Sequence, residues 1–219
     1  MSKIPVYFMP GLAASPAIFE RIQLPPDTFE MHFLEWEIPK RRESLASYAE
    51  RLAQQIPQHG AVLIGVSFGG VMVQEMARFL HLRKLIIISS VKSNKELPRR
   101  MKVTKLTKAY KLIPVSLIHH IELLNKFSFG GGVIQKRLRL YEKFLSVRDK
   151  DYLEWAIEQV VCWDRETVDP NVIHIHGDAD EVFPVKNIRD CIKIHGGTHI
   201  MILNKYKWLN ENLPKIILG

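Results

Sequence analysis

Short apolar runs alternate with helical stripes along most of this chain, and the alternation restricts it to one broad architecture. Ile4 to Met9, Met31 to Trp36, Ala61 to Gly65 and Leu85 to Ser89 read as strands bounded by turn residues, and so, later, do Asn171 to His176 and Cys191 to Ile194. Between them, Ser44 is placed to cap a helix through Leu45, Tyr48, Leu52 and Ile56. Phe68, Met72, Met76, Phe79 and Leu80 form a second helical stripe, and Met201 to Leu213 a closing helix. Strand alternating with helix predicts an α/β fold, a mostly parallel sheet of about six strands with helices on both faces.

The stretch from about 91 to 169 carries no strand pattern and reads as a helical insertion. Its stripes are Leu106, Tyr110, Ile113 and then Leu138, Tyr141, Leu145, with Gly130-Gly131-Gly132 as a turn between helices. At 219 residues, one domain over 1–219 carrying this insertion fits the length. The insertion also holds the charge. Of a formal net charge of +8, the segment Lys92 to Lys150 has 15 Lys or Arg against 4 Asp or Glu, a balance of +11, which leaves −3 for the rest. No recognised binding motif accompanies these cations, so nucleic acid is not an expected partner. Interleaved with Leu, Ile, Val, Phe and Tyr, they suit an anionic substrate, an acyl carrier, a phospholipid surface, or merely solvated helix faces.

Two cysteines, Cys162 and Cys191, build neither a disulfide scaffold nor a zinc pattern and are expected as buried thiols. No apolar run approaches the roughly 18 residues of a membrane span. Lys3 and the apolar stretch Ile4 to Ala14 imitate a signal peptide, but Pro5, Pro10 and Gly11 break it as a strand entering a tight loop would. The chain is read as cytoplasmic.

The sharpest local signal is Gly65-Val66-Ser67-Phe68-Gly69-Gly70, between the strand from Ala61 and the helix from Phe68. This is G-x-S-x-G in the strand-turn-helix setting that displays a nucleophilic serine. A strand reversing sharply into a helix crowds its flanks, so Gly65 and Gly69 keep side chains out while Ser67 stands at the tip. A nucleotide-binding loop is the competing reading, but it needs Gly where Ser67 stands, and no Gly-Lys-Ser or Gly-Lys-Thr follows. A serine needs a base and an orienting acid. Two loops at the ends of later strands offer them: Gly177-Asp178-Ala179-Asp180-Glu181-Val182-Phe183-Pro184, and His195-Gly196-Gly197-Thr198-His199. Asp178 and Asp180 compete as the acid, His195 and His199 as the base. His176 is expected to bond loop backbone. His119-His120 has no carboxylate or cysteine at ligand spacing, so no metal is expected. Trp155 and Trp163, with Tyr152, read as a packed helix face rather than a pocket lining.

These motifs resemble those of the α/β-hydrolase superfamily from Val6 to His199, nearly the whole chain. The resemblance implies Ser67 as nucleophile, Asp180 as triad acid and His199 as general base. It further implies an oxyanion hole from the N–H of Phe68 and an N–H in the loop Pro10-Gly11-Leu12-Ala13, for which Leu12 is the choice, because Pro10 has no N–H and Gly11 frees the turn. The sequence departs from the family in having Met9-Pro10 before Gly11 where many members have His-Gly, and in lacking the two amino-terminal strands of larger members. The insertion stands where the family places a helical lid. The implied activity is a serine hydrolase acting on an ester or thioester with a small or medium acyl group, without an organic cofactor. A carbon-carbon hydrolase or lyase on the same fold, and a non-catalytic protein using the basic insertion to bind a membrane or partner, are the alternatives.

Overall fold

The computed structural model describes residues 2–57, 59–112, 144 and 147–219. Six parallel strands form one sheet: β1 (Ile4–Met9), β2 (Phe29–Phe33), β3 (Ala61–Val66), β4 (Leu82–Ile88), β5 (Val172–Gly177) and β6 (Ile192–Ile194). Their order is β2-β1-β3-β4-β5-β6. The chain therefore winds outward to β2, returns across β1 and winds the other way, so the direction switches between β1 and β3. The loops leaving the carboxyl ends of those two strands meet at this switch, where a Cβ on Gly69 would overlap the Pro10 carbonyl.

Burial follows from this order. Every residue of the central strand β3 is buried, whereas the edge strands β2 and β6 are mostly half-buried or exposed. Alternate residues enter two separate cores. Tyr7, Met9, Leu63, Leu85 and Ile87 face α1 (Leu45–Ala53), α2 (Phe68–Met76) and, farther along, α4 (Lys150–Cys162). Val6, Phe8, Val62, Ile64, Ile86 and Ile88 face the closing helices α5 (Met201–Asn204) and α6 (Tyr206–Leu218). Ser44 caps α1 as expected, accepting the Ser47 N–H at 3.1 Å.

Several boundaries differ from the sequence reading. Strand β2 stops at Phe33, leaving Trp36 in the following loop. The closing helix is broken at Lys205 and then runs past Pro214 to Leu218. Leu209, Leu213 and Ile217, all fully buried at four-residue spacing, offset the bond that Pro214 cannot make. The stripe Leu106–Tyr110 does not share one face, because Lys108 turns left-handed at φ 55° and ends α3 (Arg99–Thr107). Leu106 is 84% exposed while Tyr110 is buried. Phe79 leaves its expected face and is partly exposed, and both cysteines are half-buried free thiols. Ile113, His119-His120, Gly130-Gly131-Gly132, Leu138, Tyr141 and Leu145 lie outside the described residues.

The described ends of the insertion are joined to each other and to the sheet's carboxyl edge. Asn94 N–H donates to Arg165 O at 2.8 Å, closing its stem. Arg100 of α3 donates to the carbonyls of Glu181 and Val182 at 2.8 and 2.9 Å. Trp155 packs on Tyr48 and Phe68, and Trp163 donates to Glu75, so the two rings are core.

Candidate active site

Ser67 occupies the turn between β3 and α2 with φ 54° and ψ −121°, a conformation costly for a residue with a side chain. Its neighbours hold it there. Ser67 N–H donates to Ile88 O at 3.0 Å, and Ser67 O accepts from Gly70 N–H at 2.9 Å and the Ser90 hydroxyl at 2.7 Å. The flanking glycines are sterically required, since a Cβ on Gly65 would overlap the Gly69 carbonyl and one on Gly69 would overlap the Pro10 carbonyl.

The hydroxyl of Ser67 meets His199, whose Nε2 lies 2.9 Å from Oγ. The other ring nitrogen, Nδ1, lies 2.9 Å from Asp180 Oδ2. An ionised carboxylate only accepts, so Nδ1 carries the proton and Nε2 presents a lone pair to the serine. Asp180 is fully enclosed, and its second oxygen accepts from Val182 N–H at 2.8 Å and Phe183 N–H at 2.9 Å. The imidazole is partly open to solvent and meets the Phe183 ring edge-on at 5.4 Å. The acid and histidine loops are stitched directly, with Ala179 N–H donating to Gly197 O at 2.9 Å.

Asp178 and His195 form a different pair on the surface. His195 Nδ1 lies 2.9 Å from Asp178 Oδ2, with the His195 side chain wholly exposed. Asp178 also accepts from Gly196 N–H at 2.7 Å, so it clamps the next loop rather than its own turn. The His195 hydrogen bond holds its carboxyl below the ordinary range. Neither residue is hydrogen-bonded to Ser67, whose hydroxyl meets His199.

A second polar chain lies beneath Asp180. His176 Nε2–H donates to Phe183 O at 2.8 Å, as expected for a backbone-bonded histidine. Its Nδ1 must then accept from His174 Nε2–H, 3.1 Å away. Both rings are buried, and burial pushes both pKa values down, which favours their neutral forms. Sequence reasoning missed this network and the Ser90 brace, because each depends on strand register rather than on a motif.

On the oxyanion side, Gly11 packs against the serine: a Cβ added to it would stand 3.4 Å from Ser67 Cβ and 4.0 Å from Oγ. Among the described residues, neither Leu12 N–H nor Phe68 N–H donates to a backbone carbonyl outside the regular elements. Also among the described residues, no group of three or more His, Cys, Asp and Glu is arranged to hold a metal.

A parallel α/β sheet with these three side chains converging at its carboxyl edge defines a class. No family model matches the chain, and no curated protein matches its sequence. Solved structures do match in shape. A hydrolase from Oleispira antarctica superposes with a TM-score of 0.72 at 10% identity, over 100% of this chain and 92% of that one. A thermophilic esterase from Thermogutta terrifontis gives 0.69 at 14%, over 99% and 90%. A bromoperoxidase from Bacillus anthracis gives 0.67 at 16%, over 99% and 92%. The chain has the α/β-hydrolase fold.

Proposed function

We propose that this protein is a serine hydrolase that cleaves an ester or thioester through an acyl-enzyme on Ser67. The observation that carries the reading is the unbroken chain Ser67 Oγ, His199 Nε2, His199 Nδ1, Asp180 Oδ2, with both contacts at 2.9 Å. In this mechanism His199 Nε2 takes the hydroxyl proton as Oγ attacks the acyl carbonyl, and Asp180 supports the imidazolium. The N–H groups of Phe68 and Leu12 receive the oxyanion. His199 then protonates the leaving group, and a water activated by the same nitrogen releases the acid and restores the serine.

Labelling with a fluorophosphonate followed by peptide mapping tests the nucleophile without knowledge of the substrate. The label is expected on Ser67 and absent in Ser67→Ala, which should lose at least 10³-fold in nitrophenyl ester turnover, the order of loss seen when a triad member is removed. Label elsewhere, or an active Ser67→Ala, defeats the assignment. Mass-spectrometric trapping of an acyl-Ser67 separates ester cleavage from carbon-carbon chemistry on the same fold.

A second property rests on a different observation. From Arg99 to Leu112 there are six cations and no acid, and Val103, Leu106 and Leu112 are 55%, 84% and 82% exposed among them. We propose that this segment meets an anionic phospholipid surface, apolar side chains entering the interface while the cations meet headgroups. The insertion would then act as a lid that presents amphiphilic acyl substrates to Ser67.

A further inference from the structure

Trp36 lies outside the triad, beyond the end of β2, yet it touches both sides of the nucleophile turn. Its indole Nε1–H donates to Gly11 O at 2.8 Å. Its ring stacks on that of Phe68, with centroids 5.0 Å apart and planes within 10° of parallel. The ring is buried and boxed in by Tyr48 and Tyr152 at 6.2 and 5.5 Å. The Tyr48 hydroxyl in turn holds Glu37, accepting from its N–H at 2.9 Å and donating to its carbonyl at 2.8 Å.

The geometry of a peptide bond gives these contacts a consequence. In a trans amide the C=O and the following N–H point in opposite directions. The Gly11 carbonyl is held by Trp36 and by Ala14 N–H at 3.1 Å, so the Leu12 N–H is turned away from the indole. Adjacent polar groups of the loop are occupied, Ala13 N–H by the Tyr152 hydroxyl at 3.3 Å and Ala13 O by Val147 N–H at 3.1 Å. Among the described residues the Leu12 N–H has no acceptor, and it lies next to the glycine that packs on Ser67.

We propose that Trp36 is the positioning residue of the oxyanion hole. One immobile indole orients, through the Gly11 carbonyl, the peptide that carries one donor, and braces, by stacking, the residue that carries the other. Donors fixed before the charge develops need no reorganisation when it does, which is where such a hole gains its effect. The inference rests on the hydrolase reading above and adds to it what preorganises the donors.

Two variants separate the indole N–H from the ring. Trp36→Phe keeps an aromatic ring against Phe68 without the donor. Replacement of Trp36 by 3-benzothienylalanine removes only the N–H and keeps the shape. Each is assayed for kcat and KM on a nitrophenyl ester, for affinity to a trifluoromethyl ketone, whose adduct on Ser67 carries an oxyanion, and for the pH profile of kcat/KM. Misorienting one donor should lower kcat and ketone affinity together by roughly 10-fold or more, short of the 10² to 10³ for outright donor loss. KM and the pH midpoint should stay in place, because Trp36 does not touch His199. Unchanged kcat and ketone affinity in the benzothienyl variant, or a displaced pH midpoint, overturns the inference while wild-type turnover leaves the hydrolase reading standing. A wild type that neither turns over esters nor binds the ketone removes the reading and the inference together.

Discussion

Asp178 and Asp180 are two residues apart in one loop, but their surroundings fit them for different tasks. Asp180 is enclosed, accepts two backbone N–H groups and meets the imidazole that reaches Ser67, whereas Asp178 ties His195 and Gly196 at the surface. Asp180→Asn should therefore reduce kcat on the order of 10⁴-fold by disturbing the tautomer of His199, while Asp178→Asn keeps most of the activity. Steady-state kinetics on the two variants checks this, and the reverse ranking would transfer the acid role to Asp178. Both carboxylates are visible in the sequence, but spacing alone does not choose between them, since the choice depends on which way each side chain faces. Ser67 is legible because the crowding that demands Gly65 and Gly69 is local. Trp36 and Ser90 are not, because their partners Gly11 and Ser67 lie 25 and 23 residues away and meet them only once the strands have registered.

At the scale of elements, strands and their loops were readable where burial on both faces produces continuous apolar runs, and boundaries failed where tertiary contacts override local preference. The continuation of α6 through Pro214 is one such case, with buried Leu213 and Ile217 on either side of the proline. Helix α3 is another: its composition suggested an inward stripe, and the structure buries none of its residues. That unburied basic helix is fastened to the acid loop by Arg100, so whatever α3 binds lies close to the catalytic edge. Changing Arg99, Lys102 and Lys105 together to Glu should abolish sedimentation with vesicles containing phosphatidylserine while leaving turnover of a water-soluble nitrophenyl ester intact. Binding by the wild type should weaken as salt rises from 50 to 500 mM, as expected of headgroup electrostatics on about a 10 Å screening length. If the triple variant and the wild type sediment alike, the cations are solvated surface.

For the whole molecule, the parallel sheet and its two covered faces were legible from alternation, but not the strand order that brings the loops after β1 and β3 together. The same sheet buries a pair of histidines on β5, and this gives stability a pH dependence with a definite sign. Burial, then the neighbouring His176 and Lys92, lowers His174 against a bond to Ser90 backbone. Burial also lowers His176, with His199 adding to it and the Phe183 carbonyl and Asp180 opposing. The unfolded chain protonates both rings as pH falls below about 6.5, while the folded one keeps them neutral until lower pH. The unfolded state then binds more protons, so stability declines with falling pH across that window, by at most about 1.4 kcal/mol per pH unit for each ring. Glu96 works the other way: burial raises its pKa despite bonds from Lys92 and Arg189 N–H, so it takes up its proton more readily in the folded state. Glu75, lowered in spite of burial by its hydrogen bonds, and Asp178 act with the two rings, and a net uptake of protons on unfolding is expected near pH 5.5. Calorimetric unfolding at that pH in two buffers of different ionisation enthalpy should register the uptake, and urea midpoints should fall from pH 7 to pH 5. Proton release on unfolding at pH 5.5 would defeat this sign for the buried pair, in which the one N–H held between His174 Nε2 and His176 Nδ1 leaves no room for both rings to be charged at once.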